Sequence, residues 1–153
     1  MGLFDKIKGA VNMVTGGAAT VDIQYSEIAT AGGVVPVRVT VTSKGTAIPS
    51  KGVFVDFTGL EKVFISKRDE RKFDEDYQRE EPHNAQAFQL CGEFTLGPGE
   101  TKVFDGSIMV PSNVQPSFAG KYVQNVYQVR GRLEAKGNDP DSGYKPIRVV
   151  TPS

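Results

Sequence analysis

The sequence predicts an all-β fold, an antiparallel two-sheet β-sandwich with a short amphipathic helix at its N-terminus. Three observations carry this prediction. From about Ala19 onward apolar and polar residues alternate with period two. Gly and Pro, 17 and 9 of the 153 residues, favour turns and strands over helices in a chain with many valines. Only the first residues repeat with a helical period. The length suits one domain with a real core, divided as a helix and glycine joint over 1–17 and a sandwich over 18–153.

In the opening run, LFDKIKGAVNMV, a step of about 100° per residue gathers Leu3, Phe4, Ile7, Ala10, Val11 and Val14 on one side. Asp5, Lys8 and Asn12 fall on the other, and Lys6 and Lys8 flank the apolar arc. Their stems can lie along an apolar surface while the ammonium groups stay in water. Thr15-Gly16-Gly17 ends the helix and supplies a joint. Leu3, Phe4, Ile7 and Val11, with Lys6 and Lys8, are therefore the candidate contact residues for a lipid interface, a partner's groove or the helix's own domain.

Val21, Ile23 and Tyr25 alternate with polar neighbours, and so do Val35, Val37, Val39 and Val41 after Gly32-Gly33. Two half-buried strands are expected, with Pro36 near the start of the second, a place where an edge strand can tolerate a missing donor. Val53, Val55 and Phe57, then Val63 and Ile65, continue the pattern on either side of Thr58-Gly59. Phe88, Leu90, Phe94 and Leu96 share a face opposite Gln89 and Cys91. Leu96-Gly97-Pro98-Gly99-Glu100 reads as a turn. Phe104, Ile108 and Val110 follow, then Val123, Tyr127, Val129 and Leu133, and Ile147 to Val150 closes the domain. About eight short strands result, arranged as a sandwich, with an all-β barrel as the competing architecture.

Residues 66–82 break the rhythm. They hold five basic and seven acidic residues with only Phe73 and Tyr77 to bury, too few to supply a core. An exposed connection is expected there rather than a short charged helix. Arg68, Arg71, Phe73 and Tyr77 are its candidate partner contacts.

Composition narrows the function. Eighteen basic residues balance eighteen acidic ones, so there is no basic field for nucleic acid to follow. One Cys and one His cannot build a disulfide or a two-His metal site. No run approaches the ~20 apolar residues of a bilayer span, and Asp5, Lys6 and Lys8 interrupt what would be the apolar centre of a secretory signal. The expected location is cytoplasmic, with peripheral membrane contact through the helix.

His83 and Cys91 are the one Cys–His pair available for nucleophilic catalysis, with Cys91 expected in a strand, His83 in a loop and no orienting third residue. Glu80, Glu81 and His83, or Asp139 and Asp141, offer oxygen and nitrogen to a metal. Asp139-Pro140-Asp141-Ser142-Gly143 departs from the calcium-loop order, however, and reads as turn chemistry. Glycine-rich nucleotide motifs and the Gly-x-Ser-x-Gly elbow are absent. The expectation is a protein that is not an enzyme, with no catalytic residue, cofactor or metal.

The stretch LGPGETKVFDGSIMVPSNVQPSFAGKYVQNVYQVRGRLEA, Leu96 to Ala135, carries a family resemblance. Its Gly-Glu turn, the Val110-Pro111 step, the Pro116-Ser117 pair and the strand Val-x-Tyr-x-Val-x-Gly-x-Leu resemble the second half of an arrestin-type N-terminal domain. Val35 to Val41 and Val53 to Gly59 resemble that family's second and third strands. The opening helix followed by a Val-x-Ile strand is similar to bacterial sporulation-control proteins with arrestin-like domains. The resemblance, over roughly 19–150, implies an adaptor without catalysis that binds partners at strand edges or loops. Two features depart from it: the family pairs two such domains where this chain has room for one, and Val21-Asp22-Ile23-Gln24-Tyr25 lacks the lysine pair that receptor arrestins use to sense phosphate.

The expected function is a non-enzymatic cytoplasmic adaptor or regulatory protein with protein partners, reaching a membrane surface through its helix. The alternative is a structural subunit that self-associates through strand edges into a homo-oligomer.

Overall fold

The computed structural model describes residues 18–68 and 75–152. The predicted helix, with Leu3, Phe4, Lys6, Ile7, Lys8 and Val11, lies outside the described residues, as do Arg71 and Phe73. The described chain forms ten strands: β1 (Ala19–Tyr25), β2 (Ile28–Thr30), β3 (Val34–Ser43), β4 (Ile48–Ile65), β5 (Tyr77–Cys91), β6 (Phe94–Leu96), β7 (Thr101–Met109), β8 (Phe118–Ala119), β9 (Val123–Ala135) and β10 (Lys145–Val150). One sheet has the order β1-β3-β7; the other has β2-β10-β9-β4-β5, with β6 beside β4 and β8 beside β9.

The alternation read from the sequence places the core. Val21, Ile23, Val35, Val37, Val39, Val41 and Ile108 of the smaller sheet are buried against Val53, Val55, Phe57, Tyr127, Val129, Leu133, Ile147 and Val149 of the larger. Side chains of period two can all face one way only if each strand keeps its register. Val21 pairs with Val41 and Val39 with Phe104, and Phe57 pairs with Val129.

Several expectations need correction. The runs on either side of Thr58-Gly59 are one 18-residue strand, β4, because β5 and β9 continue along both of its sides through the interruption. The exposed connection expected over 66–82 ends at residue 76, since β5 begins at Tyr77 opposite Ile65. Opposite charges support this polar strand end: Lys62 faces Glu80 at 3.9 Å and Arg79 holds Glu81 at 2.7 Å. Strand β3 is central, not an edge. Pro36 nevertheless lies beyond the last β1 pair, Tyr25 with Val37, so it sits where β3 has a neighbour on one side only. Strands β2 and β8 have three and two residues, too short for any periodicity to show.

At the Thr58-Gly59 interruption β5 carries one extra residue, and Asn84 takes a positive φ of 52°. This bulge turns His83 over Gly59, where an added Cβ would lie 2.3 Å from the His83 ring. His83 Nε2 then meets Asn125 Oδ1 at 2.7 Å. The Asn125 amide nitrogen donates to the carbonyls of Gln115 and Pro116, and the Tyr127 hydroxyl donates to Gln115 as well. Tyr127 in turn stacks on Phe57, with ring centroids 5.4 Å apart.

On the outer face of the larger sheet Asp56, 9% exposed, accepts hydrogen bonds from both Arg130 (2.8 and 3.0 Å) and Arg132 (3.0 and 3.2 Å). Asp139 and Asp141 approach these guanidiniums at 3.6 and 3.8 Å. Tyr144 and Phe54 cover Arg130 and Arg132 by cation–π contact. The hydrogen bond that Arg132 donates to Asp56, against an opposing effect of burial, holds its guanidinium above the ordinary pKa.

Two expectations about stability follow. Gly59→Ala forces the His83 ring aside and is expected to cost about 1–3 kcal/mol; in a His83→Ala background the same change should cost much less, a non-additivity that urea unfolding of the four proteins reads directly. Asp56→Ala leaves two partly buried guanidiniums facing each other. Breaking such a cluster is expected to cost about 2–4 kcal/mol, more than Asp56→Asn, which keeps one acceptor oxygen, and the same unfolding assay checks the order.

Candidate docking surfaces

The residues first suspected of chemistry are committed elsewhere. Because the Asn125 amide nitrogen is spent on carbonyls, its oxygen faces His83 Nε2, which must donate; Asn84 Nδ2 donates to His83 Nδ1 at 2.8 Å. Both ring nitrogens are thereby occupied. His83 lies in β5, not in a loop, and Cys91 lies eight residues farther along the same strand. At ~3.3 Å per residue the two are roughly 25 Å apart, so they form no catalytic pair. A second bulge turns Cys91 opposite Val53, where it packs against the core instead of facing away from it.

Glu80 and Glu81 are neighbours on a strand and so point to opposite faces, each with its own cation. In the 137–143 segment Asp139 accepts from the Ala135 amide and Asp141 from the Gly143 amide, the turn chemistry expected there. Among the described residues no three His, Cys, Asp or Glu side chains gather to hold a metal. Of the candidate partner contacts in the charged connection, Arg68 is exposed just past β4, its amide bonded to Ser66, and Tyr77 opens β5. Both lie at the far end of the long β4–β5 ladder.

What remains are surfaces. A sheet edge exposes unpaired backbone groups unless something blocks it. On one flank β1 is sealed to the other sheet: the Tyr25 hydroxyl donates to the Pro146 carbonyl at 2.6 Å, and Lys145 meets Asp22 at 3.6 Å. Burial, helped by Glu27, pushes the Tyr25 hydroxyl's pKa up, so it stays a donor. Strand β2 is too short to offer an edge. On the other flank β5 carries Pro82, paired charges and two bulges.

Strand β7 has neither proline nor bulge. It pairs with β3 over nine consecutive residues without a shift, and among the described residues no strand lies beyond it. The Glu100 carbonyl, which accepts from the Ser43 amide, and the Val110 amide, which donates to the Gly33 carbonyl, mark the even-numbered residues as those that bond toward β3. In an antiparallel ladder this alternates, so Val103, Asp105, Ser107 and Met109 present their backbone N–H and C=O groups to the open edge. Their side chains share the outer face, with Asp105 held by Arg38 at 2.6 Å. That hydrogen bond lowers the Asp105 pKa from its ordinary value.

A second surface is the end of the sandwich from which the N-terminal segment emerges. The Ala18 carbonyl accepts from the Lys44 amide, and Ala19 pairs with Ser43. Ser50 pairs with Ala135, which brings Lys51 and Lys136, the residues following each, to the same end. Lys44, Lys51 and Lys136 are all exposed there. Glu93 and Glu100 share that end, but Glu100 is turned back to cap the Gly97 amide at 2.8 Å. The sequence reading missed this cluster because its lysines are dispersed and only the topology collects them. No helix among the described residues is long and apolar enough to cross a membrane.

No family model matches the chain, and no curated protein matches it in sequence. Among solved structures the chain is similar to the crystal structure of Spo0M, the sporulation control protein from Bacillus subtilis, with a TM-score of 0.62 and 24% sequence identity. The similarity covers 87% of this chain and 49% of that one, so the chain spans about half the length of the structure it matches. In fold the chain is thus a two-sheet β-sandwich similar to that structure, as the strand patterns of the sequence led one to expect.

Proposed function

We propose that the chain is a non-enzymatic cytoplasmic adaptor or regulatory protein that docks on an anionic membrane surface through its N-terminal segment and takes protein partners on the sandwich. The observation that carries the reading is where that segment joins the fold. The sequence that carries the apolar arc of Leu3, Phe4, Ile7 and Val11, with Lys6 and Lys8 at its margins, joins the described chain at Ala18, at the end bearing Lys44, Lys51 and Lys136. Each lysine near an anionic surface is worth about 1 kcal/mol, so two helix lysines alone bind weakly and five bind usefully. The solved neighbour is named for sporulation control, which supports a regulatory role. The commitment of His83, Asp139 and Asp141 to internal hydrogen bonds supports a role without catalysis.

Co-sedimentation with vesicles tests the membrane step. The intact chain is expected to sediment with phosphatidylserine-containing vesicles, weakly with neutral ones, and less as salt rises. A chain starting at Ala18 should lose binding, and Lys44→Glu with Lys51→Glu and Lys136→Glu should reduce it at least tenfold, a change of about 1.4 kcal/mol or more. Equal sedimentation of the intact and shortened chains would remove the reading.

A further inference from the structure

The open edge of β7 complements itself. In a two-fold pair of antiparallel strands that continues one sheet, residue i faces residue j with i and j on the same face, and the same contacts occur twice. Three registers centred within β7 can be compared. Centring on Asp105 sets two carboxylates face to face, which is unfavourable. Centring on Phe104 sets Val103 against Asp105 and Lys102 against Gly106, an apolar group against a charge and a long side chain against none. Centring on Gly106 sets Val103 against Met109, Phe104 against Ile108 and Asp105 against Ser107, so apolar meets apolar and each carboxylate meets a hydroxyl.

The exposure of the smaller sheet's outer face matches that last register. Val103 is 53%, Met109 58% and Val34 61% exposed, large values for apolar side chains on strands of a sandwich. Val34 already pairs with Met109, and Val103 with Thr40. In the Gly106 register the row Val34, Met109 and the second copy's Val103 becomes continuous, and its symmetry mate repeats it. The backbone agrees. Val103, Asp105, Ser107 and Met109 hold the outward N–H and C=O groups, and in this register each of them faces another member of the same set. Gly106 at the axis has no side chain, and its inward space is filled by Leu90, which an added Cβ would meet at 2.6 Å. The two copies can therefore close at the axis without a clash from that position.

We infer that β7 is a homodimerisation edge, with a second copy of this chain added antiparallel in the register that places Gly106 opposite Gly106 and joins the two three-stranded sheets into one of six strands. The inference names the partner for one edge of the sandwich proposed above as a protein-binding unit, and it does not depend on the membrane step.

Sedimentation equilibrium of the intact chain over a wide concentration range is the test. A monomer–dimer equilibrium is expected. Ser107→Pro removes one outward N–H and sets its ring on the open edge while leaving the ladder to β3 its hydrogen bonds, and it should give a monomer with an unchanged far-ultraviolet spectrum. Ser107→Lys places a cation against Asp105 of the second copy twice per dimer and should tighten dimerisation several-fold; Ser107→Glu should weaken it by a similar factor. A chain that is monomeric throughout, or a dimer indifferent to all three substitutions, overturns the inference. So does a chain that dimerises only when it starts at Ala18, which would give the edge to the N-terminal segment. A monomer that still sediments with anionic vesicles overturns the dimer alone, whereas a dimer that does not sediment overturns the membrane docking alone.

Discussion

The crossing from one sheet to the other between β7 and β9 is the constraint on which the rest of the fold depends. The segment that follows β7 must leave the smaller sheet, pass over the open end of the core and enter the larger sheet in register. Its backbone carbonyls have no ladder to join, and unpaired polar groups at the edge of a core are costly. Asn125 and Tyr127, on the strand the segment is about to enter, bond the Gln115 and Pro116 carbonyls. Ser117 exchanges two hydrogen bonds with Val149 of β10. His83 completes the cluster by fixing the Asn125 amide, and it can reach only because Gly59 leaves room beneath the ring. Register, bulge and glycine are therefore one device.

The same device shapes the edges. The bulge that turns His83 inward also bends β5 and interrupts its ladder, and such a bulge is a common protection against strand addition. Strand β5 is thus guarded as a by-product of the way it holds the crossing. Strand β1 is guarded by its seal to β10. The smaller sheet has no comparable demand on β7, whose nine pairs with β3 run without irregularity. The asymmetry between a bulged β5 and a regular β7 is the physical reason to look for a partner on one edge of that flank and not on both.

Much of this was legible in the residues. Alternating apolar residues in 35–41, 53–57 and 127–133 identified the buried faces correctly because half-buried strands must keep a period of two. Where the period fails, the reading failed with it. Thr58-Gly59 looked like a boundary because glycine usually marks one, but here it makes room for a side chain from the neighbouring strand. His83 looked like a loop residue because charged neighbours hid the strand, whose polar faces are supported by one cross-strand ion pair and one along the strand instead of burial. Asp56, Arg130 and Arg132 each fitted the polar side of a strand, and nothing in their spacing says that the three converge under Tyr144 and Phe54. Convergence of residues 70 or more positions apart is a property of topology alone.

The two proposed surfaces are geometrically linked. Strand β7 begins at the lysine-bearing end, since the residue before it, Glu100, bonds Ser43 beside the point where the N-terminal segment enters. In an antiparallel two-fold pair the second copy's β7 runs the other way, so its lysine-bearing end lies at the opposite pole. One flat membrane can then receive only one of the two ends, with the other left facing away from it. A monomer would present its whole basic charge to the bilayer; a dimer would present the same to each of two surfaces. Dimerisation through β7 would therefore add nothing to the affinity for a single bilayer but would give the assembly two ends with which to hold two surfaces, or a surface and a partner, together. That separation of poles follows from strand direction alone.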